Sequence, residues 1–156
     1  MKKYSLLVSL LFLIILFNGC EKKQIGTAVK MHWDRDMCQR CKMAISERKF
    51  AVQIIDKRHR KVYKFDDLGC AILWMDRVKA PWKDQAIIWI SDAKTGKWVD
   101  GRKALYIEGA ITPMAFGFAA YTKQTVPQNV TIYNLEDIIQ KIRKTEIQNS
   151  KRVKTF

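Results

Sequence analysis

Two thiols and a thioether stand close together in Cys38-Gln39-Arg40-Cys41-Lys42-Met43, the segment of this chain best equipped for chemistry. All three are soft sulfur donors, which select Cu(I), zinc or iron–sulfur centres over magnesium, calcium or manganese. A structural zinc site takes four ligands, as a rule from two such cysteine knuckles, and only one knuckle is present. Cys70, His32 and His59 could complete a zinc site, but Met43 would then be idle and the spacings fit no zinc pattern. Cu(I) accepts two or three sulfurs without strain. The flanking Arg35, Arg40, Lys42 and Arg48 favour the thiolate form that binds metal, with Asp34 and Asp36 opposing in part. Outside the cytoplasm an exposed cysteine pair tends to oxidise, so a thiol–disulfide role for Cys38 and Cys41 is the competing reading. Position weakens it, because thioredoxin-like pairs open a helix after a strand and this pair precedes the first predicted hairpin.

Other sulfur and imidazole groups are secondary. Cys70 falls on a predicted helix among Ile72, Leu73 and Trp74, where a free cysteine commonly acts as a small buried hydrophobe, so core packing is preferred to metal binding there. Met31 and Met75 read as core, and Met37 is left undecided. His32 is a candidate auxiliary ligand, whereas His59 lies in a predicted turn and is expected in solvent. In Thr112-Pro113-Met114 the proline stiffens the backbone just before a methionine and would fix the direction of its thioether, although gap-filling is the commoner use of methionine.

These groups need a frame. Alternation over Phe50 to Ile55 and the run Lys61 to Phe65 predict a hairpin. Asp66 or Asp67 can cap a following helix on which Leu68, Ile72 and Met75 share a face, with Pro81 beyond its end. Ala86 to Ile90 reads as a buried strand, followed by a turn at Lys94 to Lys97. The first half is therefore strand, strand, helix, strand. In the second half Trp98 to Ile107 predicts a strand pair or a bent strand, Met114 to Tyr121 is apolar around Gly117, and Thr131 to Tyr133 is a short strand candidate. Asn134 is expected to cap a helix over Leu135 to Arg143. From Lys144 the chain is polar and basic, and residues 144–156 are expected to fray.

The N-terminus carries a targeting signal. Lys2 and Lys3 precede an apolar run from Leu6 to Phe17, about 12 residues against the roughly 20 that a membrane span needs, so residues 1–19 read as a signal peptide. Leu16-Phe17-Asn18-Gly19-Cys20 resembles a lipobox, which predicts cleavage before Cys20 and lipid attachment to it. Residues 20–30 then form a polar tether, and a domain of residues 31–143 follows. The precursor has a formal charge of +14, or about +12 without Lys2 and Lys3. That field attracts anionic lipid or an acidic protein. Export and the scattered placement of the basic residues argue against nucleic acid as a partner.

Together, Cys38-x-x-Cys41-x-Met43, Phe65-Asp66-Asp67-Leu68-Gly69-Cys70, Trp98-Val99-Asp100 and Thr112-Pro113-Met114 resemble the NosL family of periplasmic copper-binding lipoproteins. The resemblance runs from Trp33 to Tyr121, about two-thirds of the mature chain. It implies a small α+β domain of two ββαβ-like units, the second abbreviated here. It also implies a Cu(I) metallochaperone, not an enzyme, that helps to assemble the copper centre of nitrous oxide reductase and takes its metal from a membrane copper donor. Carried over by position, the motif makes Cys38, Cys41 and Met43 copper ligands and adds Met114 as a further one. Lys42 departs from the pattern, standing where the family commonly has glycine. The expected location is the periplasmic face of a bacterial membrane, with the outer membrane favoured because Glu21, not aspartate, follows Cys20. A thiol–disulfide protein and a non-catalytic lipoprotein scaffold are the alternatives.

Overall fold

A computed structural model describes residues 26–153; the expected signal peptide and Cys20 lie outside the described residues. The chain runs through β1 (Val52–Asp56), β2 (Lys61–Phe65), α1 (Leu68–Arg77), a 3-10 turn (Lys83–Gln85), β3 (Ile87–Ser91), β4 (Trp98–Asp100), β5 (Leu105–Glu108), β6 (Phe118–Tyr121) and α2 (Leu135–Val153). The fold is α+β, with one antiparallel sheet ordered β2-β1-β3-β4 and a second made of β5 and β6. None of the described helices is long and apolar enough to cross a membrane.

The alternation of β1 sets the layers. Val52 and Ile54 pair with Ile90 and Ile88 on β3, and all four are buried with Phe65, Ile72 and Cys70 in one core. Burial of each such side chain stabilises the fold by roughly 1.5–3 kcal/mol. Gln53 points to the opposite face, yet it too is fully buried. Its amide accepts from Val29 N and donates to Val29 O, both at 2.8 Å. Trp89 likewise donates its indole N–H to Gly26 O at 2.8 Å. The end of the expected tether is therefore docked across the back of the sheet, since a buried amide needs partners and the chain supplies them.

The first ββαβ unit is present as read from the sequence. The second half differs. Trp98 to Ile107 is neither a pair nor one bent strand: β4 joins β3 while β5 joins β6. The break falls at Gly101, whose N–H is taken by Ile88 O and whose carbonyl accepts the Tyr106 hydroxyl at 2.6 Å. Thr131 to Tyr133 contributes only an isolated bridge between Tyr133 and Tyr106. The order β5, β6, α2 repeats strand, strand, helix, with no strand after the helix among the described residues.

Helix α2 corrects a further expectation. Asn134 does cap it, its side chain accepting from Asp137 N at 3.0 Å. Where the periodicity ends the helix at Arg143, however, the structure carries it through the basic segment to Val153. Three ion pairs hold this helix against distant parts of the chain, Lys141 with Glu108 on β5, Arg143 with Asp76 on α1 and Glu146 with Arg40. None of these contacts is visible in a local pattern.

Candidate metal centre

Residues 38–43 form a closed loop. Cys38 N donates to Met43 O at 2.8 Å, Lys42 N to Cys38 O at 3.0 Å, and the flanking Met37 and Ala44 form an antiparallel bridge. Closing so short a loop requires a left-handed residue, and Lys42 adopts φ 63°. Glycine does this without steric cost, whereas a residue with a Cβ meets a penalty of roughly 1–2 kcal/mol. The loop is fastened to β2 by Gln39 N donating to Lys64 O at 2.9 Å and by the Lys64–Asp36 ion pair at 2.6 Å.

The opposing wall is the start of α1. Asp67 caps it, Oδ1 accepting from Gly69 N at 2.9 Å. This places Asp66 just before the helix and Cys70 in its first turn. Ligand atoms of Cys38, Cys41, Asp66 and Cys70 all lie within 4.8 Å of one another. The three cysteines are free thiols. Cys38 and Cys70 are fully buried and Cys41 is half-buried.

The electrostatics of this cluster are asymmetric. Cys38 is drawn down to about 6, first because Cys70 donates to it, with burial opposing. Cys70 is pushed up by that same hydrogen bond and by burial. Cys41 is pushed up to about 11, chiefly by burial, and its thiol donates to Asp66 Oδ2 at 3.4 Å. Asp66 Oδ1 is buried without a hydrogen-bond partner. Such an atom costs roughly 1–3 kcal/mol when left dry and unpaired, so its place beside three thiols is where a cation would be stabilised. Three soft donors and one carboxylate in this space fit a thiophilic metal ion.

The Thr112-Pro113-Met114 segment is brought to the same region. Asp67 Oδ2 accepts from the Thr112 hydroxyl at 2.6 Å and from Met114 N at 3.3 Å. Burial outweighs these donors and raises the Asp67 carboxyl above its usual range. Phe116 packs on Gly69, where even a Cβ would come within 2.1 Å of the ring.

Cys38 and Cys41, expected as ligands, are thus brought together. Met43 lies on their loop with 54% of its surface exposed, and Met114 is partly buried against the core. His32 stands outside the cluster and pairs with Asp36, while His59 is paired with Asp56 in the first hairpin turn. Cys70 is as buried as a core residue should be, and it also belongs to the thiol cluster. Core packing, expected there in place of metal binding, is thus compatible with membership of the cluster. Asp66 was legible only as a possible helix cap; that the adjacent Asp67 takes the cap and leaves Asp66 for the thiols is a product of the turn geometry.

The chain matches no family model and no curated protein. Among solved structures it is similar to the copper chaperone NosL from Shewanella denitrificans, with a TM-score of 0.52 over 70% of this chain and 94% of that one. The fold is NosL-like. Sequence identity to that NosL is only 14%, so the likeness lies in the backbone, and the cluster of thiols and carboxylate stands on the geometry of this chain.

Proposed function

We propose that this protein is a Cu(I) metallochaperone, tethered by lipid on Cys20 to the periplasmic face of a bacterial membrane, the outer one being favoured. Its function is to deliver copper to a periplasmic cuproenzyme. The observation that carries the reading is the convergence of Cys38, Cys41 and Cys70 with Asp66 inside 4.8 Å. Exposure falls from Met43 through Cys41 to Cys38 and Cys70. Copper arriving at the exposed thioether meets the half-buried thiol next and the buried thiols last. Each thiol that ligates gives up its proton, and for Cys41 the acceptor in place is Asp66. Met114, on the loop fastened to Asp67, is the second thioether of the site. Release reverses these exchanges, and no bond of a substrate is made or broken.

The NosL resemblance supplies the client, nitrous oxide reductase, and a membrane copper donor as the source. Deleting the gene in a nitrous-oxide-respiring host should leave a copper-poor reductase; a fully metallated enzyme would remove that client. The site itself is tested by anaerobic Cu(I) titration of the reduced Cys20→Ser chain against a colorimetric chelator. Cys41→Ser should weaken binding by more than about a hundredfold, on the scale of lost metal-site groups, and Met43→Ala should weaken it less. Weak binding unchanged by either substitution would favour the disulfide reading. A second reading, a zinc site of three thiolates and Asp66, is favoured by the oxygen donor. Tighter competition by Zn(II) than by Cu(I) in the same titration would select it.

A further inference from the structure

Arg40 lies inside the metal-binding loop and is held from three directions. One guanidinium nitrogen reaches the Cys70 sulfur at 4.0 Å, the other pairs with Glu146 of α2 at 2.9 Å, and the guanidinium carbon sits 5.8 Å from the centre of the Phe116 ring. The side chain is only 21% exposed. A planar guanidinium clamped in this way is a positive charge fixed in place, because its fork is spent on defined acceptors. Glu146 grips the nitrogen turned away from Cys70, is 38% exposed, and is not among the groups crowded within 4.8 Å of the thiols. Its opposing field at the site is correspondingly weaker.

We propose that Arg40 is a charge-selective element of this site, one that biases it toward monovalent copper and against divalent ions. The inference rests on the metal-binding reading above. A metal bonded to Cys70 at about 2.3 Å is at most about 6 Å from the nearer Arg40 nitrogen, inside the ~8 Å screening length at physiological ionic strength. Coulomb repulsion scales with the product of the charges, so Arg40 opposes a dication twice as strongly as it opposes Cu(I). Three thiolates and a carboxylate would otherwise favour the higher charge, and zinc with it. The extension of α2 to Glu146 gains a role here, since it holds in place a cation that thermal motion would otherwise carry into solvent.

The test is a pair of titrations on the reduced full chain carrying Cys20→Ser in detergent micelles. Cu(I) and Zn(II) affinities are each measured at one pH and one ionic strength against colorimetric chelators, for the protein with Arg40 and for Arg40→Gln and Arg40→Lys. Arg40→Gln should raise the Zn(II) to Cu(I) affinity ratio by about tenfold, for one unit of charge at this range after partial screening, and Arg40→Lys should restore most of the discrimination. Equal changes in both affinities with Arg40→Gln would show that Arg40 only supports the loop. A lysine variant no better than glutamine would equally overturn a charge effect. Failure of the protein with Arg40 intact to bind Cu(I) is a different result, which sinks the copper reading before any Arg40 variant is compared.

Discussion

Thr112 donates its hydroxyl to Asp67 at 2.6 Å across 45 residues of sequence. The same carboxylate caps α1 through its other oxygen, so one side chain sets the helix that carries Cys70 and the loop that carries Met114. Thr112→Val should cost about 1–3 kcal/mol, because it strips a donor from a buried carboxylate. It also removes the acceptor of Gly117 N. Thr112→Ser, which keeps the hydroxyl, should lose far less. Urea unfolding monitored by tryptophan fluorescence compares the two, and equal losses would assign the effect to packing of the methyl group.

Gly69 is required for space. A Cβ there would lie 2.1 Å from Phe116 Cγ, a point of attachment that the ring cannot swing away without leaving its site. Gly69→Ala should therefore destabilise the fold by at least about 1–3 kcal/mol, the usual cost of overpacking. Gly69→Ala combined with Phe116→Ala should recover part of that loss. A double variant less stable than either single one would argue against this steric coupling.

Asp76 and Arg143 make a two-pronged ion pair, both contacts at 2.8 Å, that fastens α2 to α1. The hydrogen bond from Arg143 holds the Asp76 carboxyl below its usual range. A carboxyl more acidic in the folded state stabilises the fold above its unfolded pKa of about 3.9, and that stabilisation is lost as pH falls through the folded value. Both side chains are partly open to solvent, so the contribution is on the order of 0.5 kcal/mol. Asp76→Asn should melt lower than the unsubstituted protein at pH 7 and together with it near pH 2. A gap that persists at acid pH would mean the asparagine disturbs packing.

The pH dependence of Cu(I) affinity counts thiol ligands. With Cys38 at about 6 and Cys41 at about 11, and Cys70 pushed up, the metal-free site near neutrality carries protons on Cys41 and Cys70. Each proton displaced adds about one logarithmic unit of affinity per pH unit. Between about pH 7 and 9 the slope should be near 2 when both ligate and near 1 in Cys41→Ser, which leaves the Cys70–Cys38 hydrogen bond in place. A flat profile would remove thiolate ligation altogether.

Lys42 offers a direct check on the loop. At φ 63° a lysine bears strain that glycine does not, offset in part by the greater freedom glycine has when unfolded. Lys42→Gly should change stability by less than about 1 kcal/mol, in the favourable direction, and leave the affinity for Cu(I) within about twofold. A marked loss of affinity would show that the Lys42 side chain, not only its backbone, serves the site.

Some of this was legible because it is local. The hairpin of β1 and β2, a cap at Asp66 or Asp67 and the buried strand β3 follow from a period of two, a side chain that bonds its own neighbours and a continuous apolar run, and such signals survive in a string of letters. The soft chemistry of Cys38 and Cys41 was legible for the same reason. Trp98 to Ile107 is ambiguous as a sequence because both halves carry strand character, and only the partners available in space, β3 for one and β6 for the other, separate them.

Sequence alone therefore settled residue chemistry and local geometry: a sulfur-bearing loop, a hairpin and a capped helix. Tertiary structure decided which groups face one another. It turned Cys70 from a packing residue into a neighbour of Cys38, left Asp66 to the thiols by giving the cap to Asp67, and brought Arg40 to Glu146 across 106 residues. Those outcomes depend on how helix and loop dock against the sheet, which is fixed by burial of Val52, Ile54, Ile88 and Ile90. Burial is non-directional and proportional to area, so it leaves no spacing in the sequence from which the meeting of distant side chains could be read.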